Sequence, residues 1–239
     1  MLSKNQLKII RQLSKKKYRQ ESGLFIAEGE KLVKELLACG FKADKIYSIE
    51  PLENIPHSIV EPFELKKISH FSSASPILGV FNLPDYDHNN FNDPGYSMAL
   101  DNISDPGNLG TIIRLCDWFG IKKIYCSPNT VDCYNPKVVQ STMGSIARVQ
   151  CHYVDLMELI DNFEFEVYAA TLGGRSIYKE SFSSNGLLVM GSESHGVRKS
   201  LLEKIKNQIT IPSISVKTGP ESLNVANAAA IVLSEIFRP

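Results

Sequence analysis

Three segments carry residue types whose spacing could support chemistry. The first is Leu100-Asp101-Asn102-Ile103-Ser104-Asp105-Pro106-Gly107-Asn108-Leu109-Gly110-Thr111-Ile112-Ile113-Arg114. An apolar run ends, a Pro-Gly turn follows, and the pattern predicts a helix capped by Asn108. At about 100° per residue, Leu109, Ile112, Ile113, Cys116 and Phe119 form one apolar stripe. Arg114 falls off that stripe, near Gly110 and Trp118, where a guanidinium fork could face a phosphate or a sugar. A capped helix with an ordinary surface arginine fits the same residues.

The second segment is Leu187-Leu188-Val189-Met190-Gly191-Ser192-Glu193-Ser194-His195-Gly196. A buried strand enters a loop with glycine at both ends and a carboxylate inside. Gly196 is followed by Val197-Arg198 and not by Lys-Ser/Thr, so this is no P-loop. No G-x-G-x-x-G occurs anywhere, which removes support for a Rossmann dinucleotide site. Ser194 and His195 invite a hydrolase reading, but G-x-S-x-G is absent and His195 reads as a turn residue. The third segment joins Ile211-Pro212 to Thr218-Gly219-Pro220-Glu221-Ser222-Leu223-Asn224-Val225 and an Ala-rich continuation to Leu233. Ser222 is predicted to cap a helix that is small or apolar nearly all round, and so buried on most sides. Asn224 in its first turn then needs a hydrogen-bond partner.

These segments need a frame to hold them. Met98–Leu100, Lys123–Cys126, Val167–Ala170, Leu187–Met190 and Gln208–Ile211 are apolar runs of strand length. Helical patterns at Leu109–Phe119, Val154–Asn162 and Leu223–Phe237 lie between or after them. The alternation predicts an α/β domain with a parallel sheet, whose ligands sit beyond the carboxyl ends of the strands. A polar stretch rich in Asn, Asp, Pro and Gly separates it from what precedes. Before that stretch, Leu7, Ile10 and Leu13 repeat at helical spacing, and Leu24–Ala27, Lys45–Ile49 and Ile77–Leu83 read as strands. Glu30–Ala38 reads as a helix stopped by Gly40. The predicted organisation is a small α/β domain over 1–84, a linker over 85–97 and a larger domain over 98–239.

Charge adds a partner class. The 239 residues hold 26 Lys+Arg and 26 Asp+Glu, a formal net charge of zero. Yet residues 1–20 carry Lys4, Lys8, Arg11, Lys15, Lys16, Lys17 and Arg19 without one acid. A basic arm on an acidic body fits a nucleic acid, and equally a solvated helix face before a frayed terminus. Five cysteines without a C-x-x-C read as reduced thiols, with neither a disulfide framework nor a metal site. No apolar run reaches the ~20 residues that span a bilayer, and no secretory h-region follows the basic start, so a cytoplasmic location is expected.

Together and in this order, the motifs resemble the SpoU (TrmH) family of RNA ribose 2′-O-methyltransferases of the SPOUT class. Asp105-Pro106-x-Asn108-x-Gly110-x-x-x-Arg114 is similar to its first motif and Gly191-x-Glu193-x-x-Gly196 to its second. Ile211-Pro212 with Ser222-Leu223-Asn224-Val225 is similar to its third. Lys15-Lys16, Tyr18-Arg19 and Phe25-Ile26-Ala27-Glu28-Gly29 look like the ribosomal-protein-like RNA-binding domain often fused ahead of it.

The resemblance implies a deep trefoil knot threaded by the C-terminal segment, and a homodimer sharing its active sites. It implies S-adenosylmethionine held by Gly191, Ile211 and Leu223, with Thr171, Leu172 and Gly173 beside the adenosine. It also implies catalysis centred on Arg114, with Asn108, Glu193, Ser222 and Asn224 positioning ribose, Arg114 and the loops. Glu193 either acts directly or holds its loop. Arginine stays protonated above pH ~12, so Arg114 is read as a phosphate clamp and charge stabiliser, not a literal base. Lys15, Lys16, Lys17 and Arg19 are the implied RNA contacts, with ribosomal RNA the implied substrate and no metal required. Transfer RNA as substrate, or a non-catalytic RNA-binding or ribosome-assembly factor, are the alternatives. The sequence departs from the family in a long loop, Ser213–Glu221, without a Pro-Met step, and in Ser194-His195 where small residues are common.

Overall fold

The computed structural model describes residues 2–86, 91–214 and 222–239. Part of the expected linker (87–90) and most of the long loop (215–221) lie outside the described residues. Contacts divide the chain into two compact units. One holds Met1–Tyr86 and Asp132–Arg148, the other Asp87–Val131 and Val149–Pro239.

In the first unit, α1 (Lys4–Gln12) opens with a capping box. Ser3 Oγ accepts from the Gln6 N–H, and the Gln6 side chain accepts from the Ser3 N–H. Then follow α2 (Lys16–Ser22), β1 (Leu24–Glu28), α3 (Glu30–Ala38), β2 (Ala43–Ser48), β3 (Ser58–Ile59), α4 (Pro62–Ile68) and β4 (Ile77–Asn82). The sheet order is β1-β4-β2-β3, with β4 antiparallel to both neighbours and β3 parallel to β2. Ile10 and Leu13 drop from the α1 region into a core with Ile26, Leu65, Ile68 and Leu78.

Spacing alone assigns 132–148 to the second domain, but its contacts are with the first unit. The reason is a side chain. Arg19 is 2% exposed and donates through Nε to Asp132 at 2.9 Å and through Nη1 to the Leu13 carbonyl at 2.7 Å. Tyr134 sets its ring 4.7 Å from that of Phe25, and α6 (Pro136–Ser141) packs on β1.

The second unit is the predicted α/β domain. It contains β5 (Tyr96–Asp101), α5 (Pro106–Trp118), β6 (Lys123–Cys126), β7 (Gln150–Tyr153), α7 (Leu156–Asn162) and β8 (Glu166–Ser176). β9 (Gly186–Gly191), α8 (Lys199–Lys204), β10 (Asn207–Thr210) and α9 (Val225–Ile236) complete it. Six strands run parallel in the order β10-β8-β9-β5-β6-β7. β9, near the middle, is apolar without alternation because both faces are covered. Leu187, Leu188 and Val189 are fully buried, each contributing about 1.5–3 kcal/mol by leaving water.

None of the five cysteines is in a disulfide. Cys116 lies fully buried on α5, and burial pushes its thiol pKa up, which leaves it unreactive. Among the described residues no helix is long and apolar enough to cross a membrane.

Candidate active site

Register brings the motifs together. β5 and β9 pair with Leu100 beside Met190 and Asp101 beside Gly191, so the first and second motif loops leave the sheet side by side. Pairing of Ala169 with Val189 brings Thr171 to the same end. This is the carboxyl end of the strands, where open parallel sheets bind ligands.

The second motif owes its glycines to a tight return. Ser192 and Gly196 bridge in antiparallel fashion, with N–H to carbonyl distances of 3.1 and 2.8 Å. A Cβ on Gly191 would lie 2.0 Å from both the Gly196 carbonyl carbon and the Val197 nitrogen, so no side chain fits there. Gly196 itself adopts φ +66°. Glu193, Ser194 and His195 form the exposed tip. The Ser194 hydroxyl and His195 Nδ1 are 2.7 Å apart, and the His195 N–H donates to Ser192 Oγ at 3.2 Å. His195 is thus a turn residue in a closed loop.

Asp101 fixes where that loop ends, and the motif spacing does not reveal it. Its carboxylate is fully buried at the end of β5 and accepts from the Arg198 N–H at 2.9 Å and from Arg198 Nε at 2.8 Å. A lone carboxylate closing an apolar strand is the signal that could have found it. The arginine partner, 97 residues on, could not be read from spacing.

Three motif side chains meet. The Asn108 amide donates to Glu193 Oε1, and the Asn224 amide donates to Asn108 Oδ1 at 2.9 Å. Both helix caps differ from the predicted ones. Asp105 caps α5 by accepting from the Asn108 N–H at 2.8 Å, because proline at the first helical position sets the start there. That frees the Asn108 side chain for Glu193. Asn224, not Ser222, caps α9, accepting from Ala226 at 3.0 Å and Asn227 at 3.2 Å. Asn224 thereby has the partner that its position demanded. α5 and α9 pack together, which holds the two asparagines in reach.

Beside this cluster lies a cavity of about 550 Å³, within the usual range for small-molecule sites. Thr171, Leu172, Gly191, Ile211 and Leu223 of the expected cofactor set line it, as do Glu193 and Ser222. Gly173, Asn108, Arg114 and Asn224 are outside the lining. Met190, Val197, Leu202, Ile209 and Val232 supply apolar walls that the motifs do not announce. Among the described residues the lining holds no lysine or arginine and a single carboxylate, Glu193. Such a wall suits a neutral or cationic ligand and not a pyrophosphate. Thr171 Oγ1 is buried without a partner among the described residues, a polar atom waiting for one. These features fit a nucleoside-bearing sulfonium cofactor.

Arg114 is exposed on α5, with no hydrogen bond or ion pair among the described residues. Trp118, one turn on, is 83% exposed. In the first unit Lys15, Lys16 and Lys17 are exposed, and Lys17 lies 3.8 Å from Glu21. Arg19, expected with them on the surface, is instead buried at 2% exposure. Its guanidinium is spent inside the fold on Asp132 and Leu13. Among the described residues no cluster of His, Cys, Asp and Glu could hold a metal ion.

Known proteins resemble both units. The SpoU rRNA Methylase family model matches residues 96–234, and the MRM3-like substrate binding domain matches 4–75. The 23S rRNA (guanosine(2553)-2′-O)-methyltransferase RlmP of Bacillus subtilis is 30% identical over 97% of this chain and 96% of its own. A TrmH-family putative RNA methyltransferase structure from Porphyromonas gingivalis superposes with a TM-score of 0.85. It shares 34% identity and covers 99% of this chain and 98% of its own. An AdoMet-bound rRNA methyltransferase from Sinorhizobium meliloti superposes at 0.87, with 27% identity over 100% of this chain and 96% of its own.

Proposed function

This chain belongs to the SpoU rRNA methylase family, and from that premise we propose that it transfers a methyl group from S-adenosylmethionine to a ribose 2′-hydroxyl of ribosomal RNA. The observation that carries the reading is the meeting of Asn108, Glu193 and Asn224, from three distant motifs, beside a cavity lined by no lysine or arginine among the described residues. When bound, the cofactor supplies a methyl already activated by its sulfonium charge. Thr171, Leu172, Gly191, Ile211 and Leu223 hold it, and Thr171 Oγ1 gains the partner it lacks. Gly173 lies next to this set, on β8.

The chain's own task is alignment and charge stabilisation. Arg114, exposed and uncommitted, clamps a phosphate beside the target ribose and lowers the cost of negative charge on the 2′-oxygen. Glu193, oriented by the Asn108 amide, holds the motif loop, and Asn224 fixes Asn108 in turn. Ser222 presents its hydroxyl at the cavity mouth. The proton of the hydroxyl leaves to phosphate or water.

Residues 1–84 form the RNA-binding domain in this reading, with Lys15, Lys16 and Lys17 on its surface and 98–239 the methyltransferase. Ribosomal RNA is favoured over transfer RNA because a relative that matches over nearly the whole chain is named as a 23S rRNA methyltransferase. A homodimer is supported by exposed Trp118 and by Phe237, whose ring stacks on Phe119 and is 39% exposed. A trefoil knot in the second unit is supported by β9 lying between β8 and β5, with α9 returning to α5. The protein works in the cytoplasm without a metal.

The test is transfer of labelled methyl from S-adenosylmethionine to total RNA from cells lacking the protein, followed by nucleoside analysis and size fractionation. A 2′-O-methylated nucleoside in the ribosomal fraction is expected. Label confined to transfer RNA would move the substrate. Cofactor binding and methyl transfer both absent would leave the non-catalytic RNA-binding reading.

A further inference from the structure

The first unit carries a line of positive charge that the methyl-transfer site does not use. Lys4, Lys8, Arg11 and Lys15 recur at intervals of four, three and four residues, which places them on one face of α1 and the turn after it. Along α1, Lys4, Lys8 and Arg11 stand about 4.5–6 Å apart by the helical rise, and Lys15 follows in the turn beyond the helix. With Leu7 and Gln12 they line an open groove of about 510 Å³. The opposite face of α1 sends Ile10 into the core, so the charged face is the one left to solvent.

Two features set this groove apart from a solvated helix face. No acid lines it, and Lys4, Lys8 and Lys15 make no ion pair among the described residues. Like charges at such spacing repel and destabilise the helix unless a partner neutralises them. The groove is also built, not merely charged. Arg11 Nε donates to the Lys67 carbonyl at 2.6 Å, which aims the guanidinium while leaving its outer nitrogens free to donate. α4 packs on α1 there and adds exposed Lys66 and Lys67 to the same field.

We infer that this groove is a track for the sugar-phosphate backbone of an RNA strand, with Lys4, Lys8, Arg11 and Lys15 neutralising phosphates and Gln12 offering its amide. The identity of the polyanion rests on the methyltransferase reading above. Of the four basic residues expected from the N-terminal motif, only Lys15 belongs to the groove. Contacts of this type position an RNA without reading its bases. They set KM and salt dependence and leave the chemical step alone.

The experiment compares the full chain with Lys4→Gln/Lys8→Gln/Lys15→Gln, and with Lys42→Gln/Lys45→Gln/Lys206→Gln, which removes the same charge from exposed lysines elsewhere. Glutamine keeps the helix propensity of lysine. Binding to purified ribosomal RNA is measured across about 50 to 300 mM KCl, alongside methyl-transfer kinetics and S-adenosylmethionine affinity. For the groove variant, affinity should fall at least about tenfold at low salt, and the slope of log K on log salt should flatten by about 2–3. KM should rise with kcat and cofactor affinity unchanged. An unaltered slope, an equal loss in the control triple, or a fall in kcat at constant KM would overturn the groove.

The two readings fail separately. If the wild type methylates RNA and the slope is unaltered, the groove falls alone. If RNA binds with a groove-dependent slope but no methyl is transferred, the enzymatic reading falls and the groove stands.

Discussion

Arg19 in the first unit and Asn108 in the second each join segments more than 80 residues apart by side-chain hydrogen bonds. One arrangement is buried and closed. Arg19 is 2% exposed, and its guanidinium donates to Asp132 and to the Leu13 carbonyl. The other is open. Asn108 ties Glu193 to Asn224 beside a cavity, and Arg114 on the same helix is left without a partner among the described residues. The difference separates two uses of polar chemistry. A charge buried and paired inside the fold is architecture, whatever motif it sits in. A charge held on a rigid helix with its donors free is available to a substrate.

The sharpest way to break this comparison is to remove both arginines in turn. Arg114→Ala should lower methyl transfer by about 10²–10³-fold, the usual cost of losing one charge-stabilising donor. S-adenosylmethionine affinity by calorimetry and the urea midpoint should not change. A fall in stability would make Arg114 a structural residue like Arg19. Arg19→Ala should do the reverse. It leaves Asp132 facing an empty, partly buried site and should cost about 3 kcal/mol of folding free energy, read as a lower urea midpoint. RNA affinity per folded molecule should hold. A loss of RNA affinity without a loss of stability would restore Arg19 to the binding set.

The same two arginines mark how far a sequence can be read. Helix periodicity found α3 and α5, and continuous apolar runs found β6 and β9, because each pattern is local and its period is set by the element itself. α4, α6 and α8, six or seven residues long and under two turns, give a period little room to register, although α7, seven residues long, was legible from its apolar positions. The motifs delivered Asn108, Glu193 and Asn224 to one place. What they could not deliver was direction. Whether Asn108 caps its helix or reaches Glu193 depends on a shift of three residues in the helix start. Whether Arg19 faces water or Asp132 depends on a segment 113 residues away.

Gly191 sharpens the contrast at the cofactor side. With a Cβ 2.0 Å from the Gly196 carbonyl carbon, Gly191→Ala must push the second motif loop outward. S-adenosylmethionine Kd should rise at least about tenfold, or about 1.4 kcal/mol, while RNA binding at the first unit holds. Equal cofactor affinity would show that the loop does not form the cofactor wall. A smaller effect is expected of Asn224→Ala, which deletes the α9 cap and its bond to Asn108. About 1 kcal/mol of stability should go with the cap, and kcat should drop further than cofactor affinity. Stability loss alone would reduce Asn224 to a cap.

The smallest effect belongs to the first unit and is a matter of pH. Glu64 accepts from the Leu2 N–H at 2.6 Å and from the Glu61 N–H at 3.2 Å. The Leu2 hydrogen bond leads in holding its carboxyl below the ordinary value of 4.5. A carboxylate depressed in the folded state stabilises fully above the unfolded pKa, and that stabilisation is lost as pH falls through the folded one. Glu64→Gln should therefore lower the urea midpoint slightly at pH 7, and the gap to wild type should close in acid, below the ordinary carboxylate range. Methyl transfer at pH 7 should be untouched, since the Glu64 bonds anchor the N-terminus and α4 and touch no part of the cavity. A gap that persists unchanged in acid would mean that packing, and not the charge on Glu64, holds the start of the chain.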